Sequence, residues 1–165
     1  MLRRSKTQLF PMNQAHIHLI VNHAPIMGSL FAALLLGVGL WQRDGSLTRA
    51  GLVAVLATGL LCVPPQLTGA GAAAVVQDQP RVSRALIQNH AEAAEWGFWV
   101  VESAAALALF GLLLARNAAP KARLVAWLAL GGAVLGFGLL ARAGNLGGQI
   151  RHTEIREGFG TPDEL

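Results

Sequence analysis

Three of the five histidines in this chain lie together where its first long apolar segment begins. They are His16, His18 and His23, and the apolar run that starts among them continues to Leu40. Ionisable groups at the edge of a bilayer-spanning segment are costly to bury and are rare unless a partner or a function retains them. A neutral imidazole is a good ligand for haem iron, copper and zinc. The stretch therefore favours a functional site over interfacial histidines that are satisfied by water and lipid headgroups.

The local helix geometry restricts which of these histidines act together. At about 100° per residue, His16 and His23 share one helix face, whereas His18 and His23 lie about 140° apart. Pro25 has no amide hydrogen and clashes with the carbonyl of Val21, so we expect a kink or a loosened turn just before it. Such a turn would bring His18 and His23 toward one site.

The composition places the chain in a membrane. Of its 165 residues 53% are hydrophobic and only 13% are charged, whereas soluble domains average about 25% charged residues. Apolar segments at roughly 17–41, 50–66, 92–115 and 123–143 are long enough to cross about 30 Å of hydrocarbon. We interpret the first segment as a retained helix rather than a signal peptide, since it is too long for the latter. The sequence therefore predicts one all-α domain, an integral membrane antiparallel four-helix bundle.

Breaker residues predict where these helices end. Two successive prolines at Val63-Pro64-Pro65 predict the end of the second helix, and the following run 72–76 is expected either to lie at the membrane interface or to return partway into the bundle. A short amphipathic piece from Val82 is expected to lead into the third helix. Polar tails are expected at residues 1–15 and after the fourth helix, with a basic turn at 116–123. The fourth helix contains Gly132-x-x-x-Gly136, a spacing that permits close helix packing.

The charged residues divide between the two sides of the membrane. With four spans, all five histidines fall on one side together with Glu92, Glu95 and Glu154. The opposite side carries Arg43, Asp44, Arg49, Arg116, Lys121 and Arg123. Loops rich in Lys and Arg favour the cytoplasm, which predicts a bacterial inner membrane protein whose histidines and termini face the periplasm, although the basic N-terminal tail argues for the reverse. The net charge of +4 then reflects membrane anchoring, and no nucleic-acid partner is expected.

Several short motifs, in this order, resemble a known family. They are His18-x4-His23-x-Pro25-Ile26, Thr68-Gly69 after the second helix, His90 at the start of the third, and Gly147-Gly148 at the end of the fourth. The pattern is similar to that of the small four-helix bacterial membrane proteins of the DUF2231-like group. That family has no settled activity, and its histidine pattern resembles a haem or metal site.

The resemblance and the shared side together suggest a ligand set. We expect His18, His23, His90 and His152 to bind haem b or a copper, iron or zinc ion for electron transfer, because helix bundles hold such cofactors with inward-facing histidines. Glu95 and Glu102 share one helix face and are expected either to orient a ring N–H or to bind the metal themselves. Cys62 is the only cysteine, which excludes an intrachain disulfide and a multi-thiolate site.

Two other functions fit the same sequence. Glu102 lies about 10 Å into the third span, where a carboxylate near histidines suits proton or solute transfer, although Arg142 or protonation would also neutralise it. Alternatively, the chain is a non-catalytic helper that packs against other membrane subunits through its glycine-rich faces. The expected partners are membrane lipid and either other membrane subunits or a redox protein, and the sequence indicates no enzymatic reaction.

Overall fold

The computed structural model describes residues 13–115, 119–156 and 158. Its α-helices are α1 (Gln14–Val21), α2 (His23–Gln42), α3 (Gly45–Val76), α4 (Arg84–Leu114) and α5 (Ala119–Arg151), followed by a single 3₁₀ turn at Thr153–Ile155. The described residues contain no β-strand. Four stretches are long and apolar enough to cross a membrane, the first of which combines α1 and α2. The predicted all-α, four-helix membrane bundle is thereby confirmed.

The first span is interrupted at Asn22, between α1 and α2. Pro25 lies in the first turn of α2 and has no amide hydrogen, so the carbonyl of Val21 loses the donor that a continuous helix would supply. At its other end α1 is capped by Asn13, whose Oδ1 accepts a hydrogen bond from the amide of His16 at 2.9 Å. The loosened turn that Pro25 predicts is therefore present, and it makes α1 a separate helical segment.

The second span does not end at its two prolines, so that prediction was wrong. The helix α3 runs through Pro64 and Pro65 to Val76, and the run 72–76 forms its last turns rather than an interfacial segment. Each proline removes the hydrogen bond that its own amide would donate and crowds the carbonyl four residues before it, and membrane helices tolerate this because neighbouring groups compensate for it. Here α3 packs against α1, with Nδ1 of His18 lying 3.1 Å from the hydroxyl of Thr68 just after the two prolines.

The third and fourth helices are longer than predicted. The helix α4 starts at Arg84 rather than near residue 92, with the Oγ of Ser83 accepting from the amide of Leu86 at 3.4 Å, so no separate amphipathic helix precedes it. The helix α5 continues past residue 143 to Arg151. Its final carbonyls are satisfied by Arg156, which donates to Gln149 and Ile150 at 2.8 and 3.1 Å. These contacts explain why the glycines near residue 147 do not end the helix.

The helices pack as a closed ring around a core of small side chains. Each of α2, α3, α4 and α5 contacts the next, α5 contacts α2 again, and α1 lies on α3. The buried core consists mainly of Ala32, Leu36, Leu52, Val55, Ala104, Ala108, Ala126, Ala129 and Ala133. Glycines permit the close approach: a Cβ at Gly132 would lie 2.8 Å from the Cβ of Ala104, and one at Gly136 would lie 2.5 Å from Val101 Cγ2. The spacing Gly132-x-x-x-Gly136 thus allows the predicted tight packing of α5 on α4.

The antiparallel order gives the bundle two chemically different ends. The start of α1, the end of α3, the start of α4 and the end of α5 meet at one end, which contains the described histidines and which we call the histidine end. The turn between α2 and α3 and the start of α5 form the other end, with Arg43, Arg49, Lys121 and Arg123; we call it the basic end. Three predicted features lie outside the described residues, namely residues 1–12 of the first tail, residues 116–118 of the basic turn, and most of the last tail.

Candidate histidine site at one end of the bundle

Two of the predicted ligands, His18 and His90, come together at the histidine end. His18 is on α1 and His90 is in the second turn of α4, so residues far apart in the chain are joined by the docking of α1. The centroids of the two imidazole rings are 6.3 Å apart, and the ring planes are perpendicular. Both side chains are half-buried. The pair therefore lies in contact with the bundle and close to its surface.

The side chain of Thr68 fixes the proton of the His18 ring. The Nδ1 atom of His18 lies 3.1 Å from Oγ1 of Thr68, and the same hydroxyl donates its only hydrogen to the carbonyl of Pro64 at 2.8 Å. Because that hydrogen is already used, the hydroxyl accepts from His18, and Nδ1 carries the proton. In the neutral ring the lone pair is then on Nε2.

His90 is held in the same tautomer by the backbone of α5. Its Nδ1 lies 2.7 Å from the carbonyl oxygen of Ala143, and a carbonyl oxygen can only accept, so Nδ1 carries the proton. The ring lies against Gly147, where an added Cβ would be 3.1 Å from both Cε1 and Nδ1 of His90. The glycine thus provides the space that the imidazole occupies between α4 and α5.

The two histidines consequently present equivalent atoms. Each ring donates from Nδ1 to an oxygen of the protein, and no hydrogen bond among the described residues engages either Nε2. Metal-bound histidines commonly have this arrangement, because the second ring nitrogen donates to an oxygen that fixes the ring orientation. The pair therefore offers two imidazole nitrogens as ligands for a cation.

The other predicted histidine ligands are not part of this pair. His23 is the first residue of α2 and is exposed, as is His16 on α1. His152 follows α5 and its Nδ1 lies 2.8 Å from the carboxylate of Glu154. A backbone hydrogen bond at Glu154, followed by the contact with His152, holds the pKa of that carboxyl below its ordinary value. Of the four predicted histidine ligands, the structure therefore joins two.

The two predicted carboxylates lie farther along α4. Glu95 is exposed, and Glu102 follows His90 by twelve residues, which is about 18 Å along a continuous helix. The Oε1 atom of Glu102 is buried and has no hydrogen-bond partner among the described residues. Its other oxygen faces Gly59, where an added Cβ would lie 3.4 Å from Oε2. Arg142 is exposed and forms no ion pair within the described chain, so it does not neutralise Glu102.

Among the described residues, no larger cluster of metal-ligating side chains surrounds His18 and His90. Within residues 13–115, 119–156 and 158, no three His, Cys, Asp or Glu side chains are arranged to hold a metal ion. A centre at this end would therefore take two nitrogens from the described protein and its remaining ligands from elsewhere, such as a porphyrin or water.

No pattern in the sequence indicates directly which two oxygens position the rings. Thr68 was singled out only with Gly69 as part of a motif, and the carbonyl of Ala143 carries no signal in a sequence. The order of the motifs was nevertheless informative. Five of the residues in these motifs meet in space, because Thr68 and Gly69 lie against His18, with an added Cβ at Gly69 3.7 Å from its Cε1, while Gly147 lies against His90.

Comparisons with known proteins do not assign a family or a function to this chain. No family model, no curated protein and no solved structure matches this chain. The resemblance to the DUF2231-like group thus stays a prediction.

Proposed function

We propose that this membrane protein binds a transition-metal centre through Nε2 of His18 and Nε2 of His90, and that the centre serves electron transfer. The observation that carries the proposal is the matched pair of rings, 6.3 Å apart, each with its Nδ1 proton held by an oxygen of another helix. Metal–nitrogen bonds are about 2.0–2.1 Å long, so one ion bound by both rings requires their Nε2 atoms to face each other across roughly 4 Å. In the neutral rings the tautomers set by Thr68 and Ala143 leave Nε2 as the binding atom, so neither ring must turn over before it binds.

Haem b fits the number of protein ligands best. Haem iron is held in proteins by axial side chains, of which histidine is a common one, and the two rings supply two such nitrogens. A copper or iron ion with added water ligands is the other form of the same centre. When bound, the metal supplies a one-electron couple, whereas the protein positions the two nitrogens through Thr68 and Ala143 and keeps the ring of His90 seated against Gly147.

The location of the site determines where the electron exchange takes place. The centre lies at the histidine end, near one membrane surface, and the opposite end carries the basic residues of the short loops. By the preference of Lys and Arg for the cytoplasmic side, we place the histidine end and both termini at the periplasmic face of a bacterial inner membrane. We expect the partner to be a redox protein or another membrane subunit that binds at that face.

The experiment is to purify the protein and measure its absorption spectrum and its metal content. We expect a haem spectrum or close to one equivalent of copper or iron, and at least a tenfold loss of cofactor in each of His18→Ala and His90→Ala. His16→Ala is the matched control, since His16 is exposed on the same helix as His18 and should retain the cofactor. Wild-type protein with neither haem nor stoichiometric metal after growth with both supplied would contradict the proposal.

Proton transfer through Glu102 is the second candidate, and the burial of its Oε1 without a partner favours it. An ionisable group within a membrane span is a functional-site candidate by default. In liposomes, proton flux that is present in the wild type and absent in Glu102→Gln would support this function. The same variant should keep any cofactor at the histidine pair, so the two functions can be separated.

A further inference from the structure

A groove of about 580 Å³ opens between α2 and α5 near the basic end, on the far side of the bundle from the histidine pair. Its lining includes Leu34, Gly37 and Val38 of α2. Leu34 precedes Trp41 by seven residues, so the apolar lining extends about 10 Å from the end of α2 toward the membrane centre. The groove is thus a slot that runs along the helices rather than a pit at the end of the bundle.

Two arginines border the groove, one on each side. Arg43 immediately follows α2 and Arg123 lies in the second turn of α5, and both line the groove. Neither forms an ion pair with a carboxylate of the described residues. The neighbouring carboxylate of Asp44 is engaged elsewhere, since it accepts from the amides of Ser46 and Leu47 at 2.8 and 2.9 Å. The groove therefore has two guanidinium groups available for an anion.

The position of Arg43 follows from the end of α2. Arg43 is the C-cap residue of that helix and adopts the left-handed conformation, with φ of 57°, in which helices commonly end. The amide of Asp44 donates to the carbonyl of Gly39 at 3.0 Å and closes this cap. The cap thus places the guanidinium group of Arg43 beside the groove.

Two tryptophans indicate that the groove opens at the level of the membrane interface. Trp41 is 86% exposed and Trp127 is 46% exposed, and both line the groove. Exposed tryptophans on membrane helices lie at the height of the lipid headgroups. The arginines are therefore at the level of lipid phosphate, whereas Leu34 and Val38 are at the level of the acyl chains.

We propose that this groove binds one anionic phospholipid, with its phosphate between Arg43 and Arg123 and one acyl chain lying along α2 toward Leu34. Arginine suits this task because its planar group can donate two parallel hydrogen bonds to a phosphate. Basic pockets between membrane helices are recognised binding sites for such headgroups. The site is separate from the histidine pair and does not depend on the function proposed for it.

The test compares two lipids that differ only in charge. Purified, delipidated protein is titrated with phosphatidylglycerol and with phosphatidylcholine of the same acyl chains, and bound lipid is counted by native mass spectrometry. We expect the wild type to prefer phosphatidylglycerol by at least fivefold, the effect of roughly one arginine near a headgroup. Equal binding of the two lipids would overturn the proposal, as would displacement of the lipid by equimolar glycerol phosphate, which has the headgroup charge without acyl chains.

Matched variants separate the groove from net charge. The pair Arg43→Asn with Arg123→Gln removes two charges from the groove, and asparagine suits the left-handed backbone. The pair Arg49→Gln with Lys121→Gln removes two charges from the same end, but neither residue lines the groove. We expect the first pair to abolish the preference and the second to retain it. A preference that survives in the first pair, or that is lost equally in both, would contradict the proposal.

A third variant tests the apolar lining of the groove. A Cβ at Gly37 would lie in ordinary contact, 3.8 Å from Leu130 Cδ1, so a longer side chain there extends into the groove without displacing the backbone. Gly37→Leu is expected to reduce the binding of both lipids at least fivefold, with helix content and elution volume unchanged. Unchanged lipid binding in this folded variant would show that the lipid does not occupy the groove.

Discussion

The imidazole of His90 rests on Gly147, where a Cβ would lie 3.1 Å from its Nδ1. The contact joins α4 to α5 at the histidine end and holds the ring where it donates to the carbonyl of Ala143 at 2.7 Å. Position and tautomer of this histidine thus depend on a residue that has no side chain.

Adding a methyl group at this contact should disturb the histidine rather than the fold. In Gly147→Ala the ring must move by a few tenths of an ångström, so we expect its hydrogen bond to Ala143 to lengthen and any bound cofactor to be lost at least fivefold. Gly148→Ala is the control, since its Cβ would be 3.5 Å from Ile155 Cδ1, an ordinary contact. The ¹⁵N shifts of the His90 ring report the result, and identical shifts in both variants would contradict this account.

The hydroxyl of Thr68 should determine the tautomer of His18. Thr68→Val keeps the shape of the side chain but removes the acceptor for Nδ1, which we expect to cost about 1 kcal/mol of unfolding free energy and to let the ring proton divide between its two nitrogens. Thr68→Ser should restore the wild-type behaviour. Nitrogen NMR of the His18 ring distinguishes the tautomers, and a valine variant with an unchanged Nδ1–H signal would argue against the assignment.

Replacing Pro25 should join α1 to α2. An alanine restores the amide that the carbonyl of Val21 lacks, so we expect a continuous helix across Asn22 and a displaced His18. Hydrogen exchange should detect a protected amide at position 25, accompanied by loss of any cofactor from folded protein. Pro120→Ala is the control, because a proline in the first turn of α5 removes no helical hydrogen bond. If the cofactor content is unchanged in Pro25→Ala, the proline has only a packing role.

Alanine substitutions of glycines in the spans should have opposite effects on stability, depending on whether another helix lies against the glycine. A Cβ at Gly51 would lie 2.5 Å from the Cα of Leu36, a backbone atom of α2, so Gly51→Ala must separate two helices and is expected to destabilise the bundle by about 1–3 kcal/mol. At Gly131 nothing lies within 4 Å, and alanine there should stabilise the helix by roughly 0.5–1 kcal/mol. Thermal unfolding in detergent measures both, and equal effects would contradict the packing described.

The number and order of the helices followed from the sequence, whereas their ends did not. Long apolar runs are sufficient to place four spans and to put the described histidines at one end of the bundle. Local rules for Pro64 and Pro65 gave the wrong end for α3, because the packing of α3 against the neighbouring helices offsets the two backbone hydrogen bonds that the prolines remove. The extension of α5 to Arg151 likewise depends on Arg156, which lies outside the helix.

The candidate site was predicted in part. The apolar composition and the order of the four spans placed His18 and His90 on the same side of the membrane. Which histidines come into contact, however, depends on the rotation of each helix about its axis. Asn22 keeps helical backbone angles, so His18 and His23 stay about 140° apart around the helix. His18 therefore faces the bundle while His23 is exposed.

The break at Asn22 also makes the site a composite of two separately placed parts. His90 belongs to the closed ring of helices, whereas His18 belongs to α1, which lies against α3 by itself. Anything that bridges the two imidazoles therefore tethers the first helical segment to the rest of the protein. By linkage, binding to both imidazoles stabilises the docked position of α1, so the occupancy of the site and the attachment of the N-terminal segment are coupled.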